Sequence, residues 1–300
     1  MVNNPTLLGL TSIVLAGTMM NVDAITIAHG GDSVDIDFVD IGNVGNIGDT
    51  AVAGYGAVNY EYSIGKYEVT ADQWAAVIAA DSVVGNGGLG SGSQPTRSTN
   101  WYEAALFSNW LTSGNALMGA YTFSGGTFTG VDRVTALTTY GTIYMLPTED
   151  EWYKAAYLKS DGTAYTPYAT GGGAGLSTDA NYSNGSSFVG PWDVGTGTVE
   201  NNGTYDMGGN VWEWTESALT GGEPTGGEMR TRRGGGWGSY STTLHSSGRN
   251  GFVPGDGSPT TDVGFRVASV STAVAVVPEP SSVGLLVIGA MGCMLRRKRG

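Results

Sequence analysis

Asp206-Met207-Gly208-Gly209-Asn210-Val211-Trp212-Glu213-Trp214 is the densest concentration of carboxylates, glycines and indoles in the chain, and its reading decides the fold. Its two acids are separated by a Gly-Gly pair that lets the backbone fold back, an arrangement that can set side-chain and main-chain oxygens around one hard cation. Trp212 and Trp214 alternate with polar positions, so at extended spacing both indoles face one side, toward a core. The stretch reads as a turn feeding a strand.

Working outward, three places carry the chemistry of helix starts. Thr70 with Gln73, Asn100 with Glu103, and Thr148 with Glu151 each form a capping box. The first opens a helix with Trp74, Val77 and Ile78 on one face. Gly114 and the polar run after Leu158 end the other two. The cluster Glu149-Asp150-Glu151 falls in a first helical turn, where the helix dipole alone accounts for acids. Asp32 to Val39 alternates as a half-buried strand, Tyr60 to Tyr67 reads as another, and Tyr121 to Tyr144 reads as hairpins or loops. Ser160 to Thr204 is almost wholly small and polar, either a functional surface or a segment held by a bound ion. All eight tryptophans lie between Trp74 and Trp237, which locates the core.

The motifs, taken in order, resemble the formylglycine-generating enzyme family, also called sulfatase-modifying factors. Tyr67-Glu68-Val69-Thr70 looks like the family's Y/F-E-V-T, and Trp101 to Leu111 like its W-x-x-A and N-W-L helix. Leu146-Pro147-Thr148-Glu149-Asp150-Glu151-Trp152 with Ala155-Ala156 is similar to L-P-T-E-x-E-W-x-x-A-A. Asp206 to Trp214 resembles D-x-x-G-N-V-W-E-W, Arg233-Gly234-Gly235-Gly236-Trp237 resembles R-G-G-S-W, and Gly264-Phe265-Arg266 the closing G-F-R. The resemblance implies an α+β architecture, irregular and loop-rich, related to C-type lectins. It also implies a structural calcium held by the Asp206 and Glu213 side chains and the Gly209 and Val211 carbonyls; oxygen-only donors suit calcium better than a transition metal. A second family calcium site would start at Asn181-Tyr182, but no carboxylate stands near Ser186 to Phe188.

The family's oxidase chemistry uses two cysteines that hold copper shortly after R-G-G-S-W. Those positions fall here on Ser239 and Leu244. Neither supplies a soft thiolate, so copper is not expected. Cys293, the only cysteine, lies in the hydrophobic tail. His29 and His245 are the only histidines and read as surface or loop residues, and Arg266 reads as the partner of a buried acid.

The ends give the compartment. Residues 1–24 hold a short apolar run and the small-residue pattern Val22-Asp23-Ala24, and read as a secretory signal peptide. Val277-Pro278-Glu279-Pro280, the apolar Val283 to Leu295, then Arg296-Arg297-Lys298-Arg299 look like a PEP-CTERM sorting signal over 278–300, which implies recognition by an exosortase. The apolar segment is short for a stable span but adequate for transient insertion, with the bases left on the cytoplasmic side. A strand and glycine-rich lead-in (25–56), the main domain (57–268) and a linker (269–277) lie between. Net charge is −13; removing the start and the last 23 residues takes away two acids and four bases, leaving about −15 on the exported body. So acidic a body excludes a nucleic-acid role. The sequence therefore points to an exported protein of the cell envelope or extracellular matrix, inserted transiently or permanently in the inner membrane. Its function is that of a calcium-stabilised binding or structural module, with a surface ligand or extracellular polysaccharide as partner. A formylglycine-type oxidase or other oxidoreductase, and a carbohydrate-binding lectin-like module, stand as the alternatives.

Overall fold

In a computed structural model of the chain, the residues described are 24–85, 88–173, 179–183, 190–222, 224–255 and 261–272. The signal-like start before residue 24 and the whole tail lie outside them, including Pro278, Glu279, Pro280, Arg296, Arg297, Lys298 and Arg299.

Each of the three capping boxes starts a helix: α1 (Ala71–Ala80), α2 (Trp101–Ser113) and α4 (Glu149–Tyr157). In all three the cap side chain accepts from the third residue's N–H and that residue's side chain reaches back, satisfying two otherwise orphaned donors. Gly114 ends α2 in the left-handed conformation, with its N–H on the Trp110 carbonyl.

Two four-stranded sheets and two hairpins complete the frame. The first sheet runs β3 (Phe38–Ile41), β4 (Tyr62–Gly65), β12 (Ala268–Ser271), β7 (Thr142–Met145), so the last strand lies at its centre. The second runs β10 (Asn250–Phe252), β9 (Arg230–Arg233), β8 (Trp212–Ala218), β11 (Val263–Gly264). The hairpins are β1–β2 (Ile25–His29 with Asp32–Ile36) and β5–β6 (Tyr121–Ser124 with Thr127–Val131). A short α5 (Ser241–Leu244) follows β9. Because β3 pairs with β4, the lead-in before residue 57 contributes a strand to the main sheet.

Three expectations need correction. The alternating run Asp32 to Val39 is two strands, broken at Asp37, whose carbonyl accepts from Lys66 N–H. The region Tyr121 to Tyr144 contains a helix, α3 (Arg133–Tyr140), hidden by its β-branched Val and Thr and fixed by Asp132, which accepts from Thr135 N–H. β8 is buried on both faces, not on one. Trp214 donates its indole N–H to the Thr99 carbonyl, while Glu213, on the other face, meets Trp152 of α4. The core joins these parts through aromatic packing, with Trp74 stacked on Phe107 and both set edge-on to Phe265.

Candidate functional site

The Asp206 to Trp214 stretch forms a tight turn into β8. Asp206, Gly209 and Asn210 all have positive φ, at 61°, 97° and 57°. A Cβ on Gly209 would lie 2.4 Å from the Asn181 carbonyl oxygen, so glycine is required there on steric grounds as well. The two non-glycine residues hold a conformation that costs on the order of 1 kcal/mol each, and their side chains show what holds it. Asn210 donates from Nδ2 to Glu68 at 2.6 Å and accepts at Oδ1 from Trp192 N–H and the Asn181 amide. Glu68 takes the Val211 N–H with its other oxygen at 3.0 Å. The early Tyr-Glu-Val-Thr motif thus clamps the signature turn from more than a hundred residues away.

Glu213 meets Arg266 in a two-pronged ion pair, with Nε and Nη2 each 2.7 Å from a different carboxylate oxygen and both side chains without solvent exposure. The indole N–H of Trp152 adds a third donor at 2.7 Å. Arg266 also donates to the Gly65 and Tyr205 carbonyls. The expected partnership of Arg266 with a buried acid is therefore present. Asp206 accepts from Gly195 N–H at 2.7 Å. Glu200, which the sequence reading did not single out, lies buried beside them and accepts from the Met207 and Gly208 N–H groups and the Thr204 hydroxyl. Its only sequence signal is a lone acid in an otherwise uncharged run of Gly, Thr and Asn.

Four buried carboxylates, Glu68, Glu200, Asp206 and Glu213, thus feel the charge of one guanidinium, which Glu213 contacts directly. Burial pushes the Glu200 carboxyl up to about 8, against the pull of Arg266. Burial likewise pushes Asp206 up to about 6. Glu68 is raised well above the ordinary carboxylate range, first by burial and then by the Asp206 and Glu213 charges. The Asp206 and Glu213 side chains and the Gly209 and Val211 carbonyls would offer a hard cation only oxygen, in a site richer in negative than positive charge. Among the described residues no three acidic, histidine or cysteine side chains converge as metal ligands. A cation here would therefore take main-chain carbonyls into its shell and share Glu213 with Arg266.

A second network lies at the start of α4. Glu149 pairs with Arg233 at 2.6 Å and with Arg249, and Glu151 with Arg133 at 2.9 Å. Arg133 also reaches Glu216 at 3.0 Å, and the Tyr60 and Tyr121 hydroxyls donate to Glu151 and Glu216. The helix dipole alone does not explain the acids of this turn; Glu149 and Glu151 are buried and tie the helix to β9 and α3. His29 lies against Trp110 and the Leu111 carbonyl, and His245 against Tyr168 and Ser247, far from any shared ligand role.

The match to a family model is direct: the sulfatase-modifying factor enzyme 1-like domain covers residues 23–270. The chain belongs to this family. A PEP-CTERM protein-sorting motif matches residues 276–299. The pairing marks an exported cell-envelope protein whose tail is recognised by an exosortase. A mouse protein, inactive C-alpha-formylglycine-generating enzyme 2, is 35% identical over 136 residues, covering 41% of this chain and 42% of the relative. The chain thus matches about two-fifths of that relative's length. CarF is similar in structure, with 24% identity, TM-score 0.60, and coverage of 78% of this chain and 97% of its own. The Treponema denticola variable protein 1 has 24% identity, TM-score 0.57 and coverage of 82% and 98%. PvdO from Pseudomonas aeruginosa has 19% identity, TM-score 0.56 and coverage of 85% and 99%. These likenesses show the fold, the irregular α+β sulfatase-modifying-factor architecture related to C-type lectins.

Ser239 and Leu244, the positions that the resemblance aligns with the family's oxidase cysteines, both make packing or hydrogen-bond contacts. Ser239 accepts the Gly236 N–H at its hydroxyl, and its carbonyl accepts from Ser183 N–H. Leu244 is 2% exposed and packs with Ala180 and Tyr182. The cavity left beside it and Gly208 is about 10 Å³, room for one water at most. A carbohydrate-binding module would need exposed aromatics; between Tyr165 and Trp192, Tyr182 is buried and Tyr165, Tyr168 and Trp192 are half-buried. The second calcium site's later ligand region, residues 186–188, lies outside the described residues.

Proposed function

We propose that the chain is a non-oxidase member of its family, a calcium-stabilised binding or structural module. In this reading the apolar tail segment holds it in the inner membrane until an exosortase acts near Pro278-Glu279-Pro280. The observation that carries the non-oxidase part is Leu244, buried on apolar neighbours where the family's chemistry needs a metal-bound sulfur. A leucine cannot coordinate, and the Ser239 hydroxyl is neither acidic nor soft enough to replace a copper thiolate. Calcium is supported by the excess of buried carboxylate over Arg266: a divalent ion held by Asp206, Glu213 and the Gly209 and Val211 carbonyls would offset charge that protons otherwise have to remove. When bound, such an ion supplies charge compensation and cross-links the turn; the chemistry of the chain's own residues is to hold that turn in its left-handed conformation. Among the described residues no helix is long and apolar enough to cross a membrane, and the tail segment lies outside them. The test of the first part is to incubate the purified protein with copper, oxygen and a sulfatase-type cysteine peptide. No aldehyde by mass spectrometry is expected, and robust aldehyde formation would overturn the non-oxidase reading.

A further inference from the structure

The chain leaves the domain at β12. Thr272 N–H donates to the Gly141 carbonyl, and Ser271 pairs with Thr142 of β7, so the exit lies at the end of α3. The two sides of that exit differ. On the β3–β4 side, Asp40 and Glu61 line an open cavity of about 350 Å³ together with Ser269 and Ser271. On the β7 side, the run from Ala104 to Thr148 contains only two charged residues, Asp132 and Arg133. At the chain's average of 14% charged, a run of that length would hold about six. Asp132 caps α3, and Arg133 is taken up by Glu151 and Glu216.

The outer face of α3 is uncharged and needs little from water. Val134 is 78% exposed. Thr138 and Thr139 donate their hydroxyls to the Val134 and Thr135 carbonyls, so the polar atoms of these exposed threonines are already bonded within the helix. Leu117 and Met118, in the turn before β5, are 51% and 54% exposed, and this turn meets the start of α3 where Asp132 N–H donates to the Ala120 carbonyl. Desolvating satisfied hydroxyls and aliphatic groups costs little, whereas desolvating a free carboxylate costs several kcal/mol.

Only ten residues, 273–282, separate the exit from the apolar Val283 to Leu295 segment. Ten residues reach at most about 35 Å. α3 is about 12 Å long. A body with a charge of about −15 is repelled by an anionic lipid surface, and a tether this short forces one face toward it. We infer that, while the tail is inserted, the α3 face with Val134, Thr135, Thr138 and the Leu117-Met118 turn is held against the lipid headgroups, with the Asp40 and Glu61 side tilted away. The inference rests on the reading that the tail inserts.

The test uses the full chain with Cys293→Ser, labelled with a small fluorophore through Val134→Cys or through Tyr240→Cys, a site 70% exposed at the N-terminus of α5. Each form is reconstituted into phosphatidylethanolamine–phosphatidylglycerol vesicles carrying a headgroup nitroxide. The label at 134 should be quenched at least twofold more than the label at 240. Adding Thr135→Asp and Thr138→Asp should bring that ratio close to one. Equal or reversed quenching with the chain still floating with the vesicles would overturn the orientation alone, as would a ratio untouched by the two aspartates. A chain that does not float with vesicles would remove the tail reading and the orientation with it. Quenching at 134 between copies, without nitroxide lipid, would replace the membrane by a second copy and overturn the inference.

Discussion

The two buried charge networks are built from the same residue types in opposite proportions. At the start of α4, Glu149, Glu151 and Glu216 meet Arg133, Arg233 and Arg249, three against three. Around the signature turn, Glu68, Glu200, Asp206 and Glu213 share Arg266 alone. The first network closes on itself and reads as architecture. The second leaves negative charge unmatched in a place water does not reach, and a folded protein answers that with protons or with a cation.

The largest expected contrast is between the two sets of arginines. Arg266→Met removes the one cation of the signature cluster and leaves Glu213 unpaired, a loss of about 3–5 kcal/mol in urea unfolding. Arg249→Met leaves Glu149 its contact with Arg233 and costs about 1 kcal/mol, since Arg249 is partly exposed. Equal costs would erase the distinction between the networks.

The next contrast is in pH. Glu200 keeps its proton in the folded state up to about 8 but loses it near 4.5 once unfolded, so the native state binds more protons in that window. Stability of the chelator-treated protein should therefore fall as pH rises from about 4.5 to 8, by about 3–5 kcal/mol. Glu200→Gln should remove the Glu200 share of that slope and leave the part due to Asp206 and Glu68, which burial also raises. Glu151 works in the other direction: burial raises it, but Arg133 and its hydrogen bonds prevail and hold it below the ordinary 4.5. Its stabilisation is present above pH 4.5 and is lost as the pH falls through its folded value. Chemical denaturation across this range checks both signs, and a stability that rises steadily from pH 5 to 8 would contradict the assignment.

Tyr60→Phe should cost as little as Arg249→Met. It removes a 2.6 Å hydrogen bond to Glu151 but leaves Arg133 in place, so a loss of about 1 kcal/mol is expected. A loss as large as that for Arg266→Met would mean that the three-against-three network is less self-sufficient than its composition implies.

Much of this fold was legible because its signals are local. The capping boxes at Thr70, Asn100 and Thr148 announce their helices within four residues, and Gly114 announces an end. The turn at Gly209 is likewise written in its own glycines. What was not legible depends on partners distant in the chain. Glu149 and Glu151 look like acids placed by the helix dipole until β9 and α3 deliver arginines to them. Glu68 looks like one letter of a motif until Asn210 and Val211 close on it, and Glu200 has no pattern around it at all. α3 was missed because Val and Thr are poor helix formers in isolation, and its stability comes from the Asp132 cap and the anchoring of Arg133.

The unmatched charge around Arg266 is tested most directly by thermal melting of the purified protein at pH 8, with excess calcium and with chelator. A cation bound only to the folded state at a hundredfold its dissociation constant adds about 2.7 kcal/mol, which for a domain of this size raises Tm by roughly 5–10 °C. Calcium should give that increment, and Glu213→Ala should abolish it. Coincident melting curves in calcium and in chelator would contradict the account and leave the signature turn to its protons.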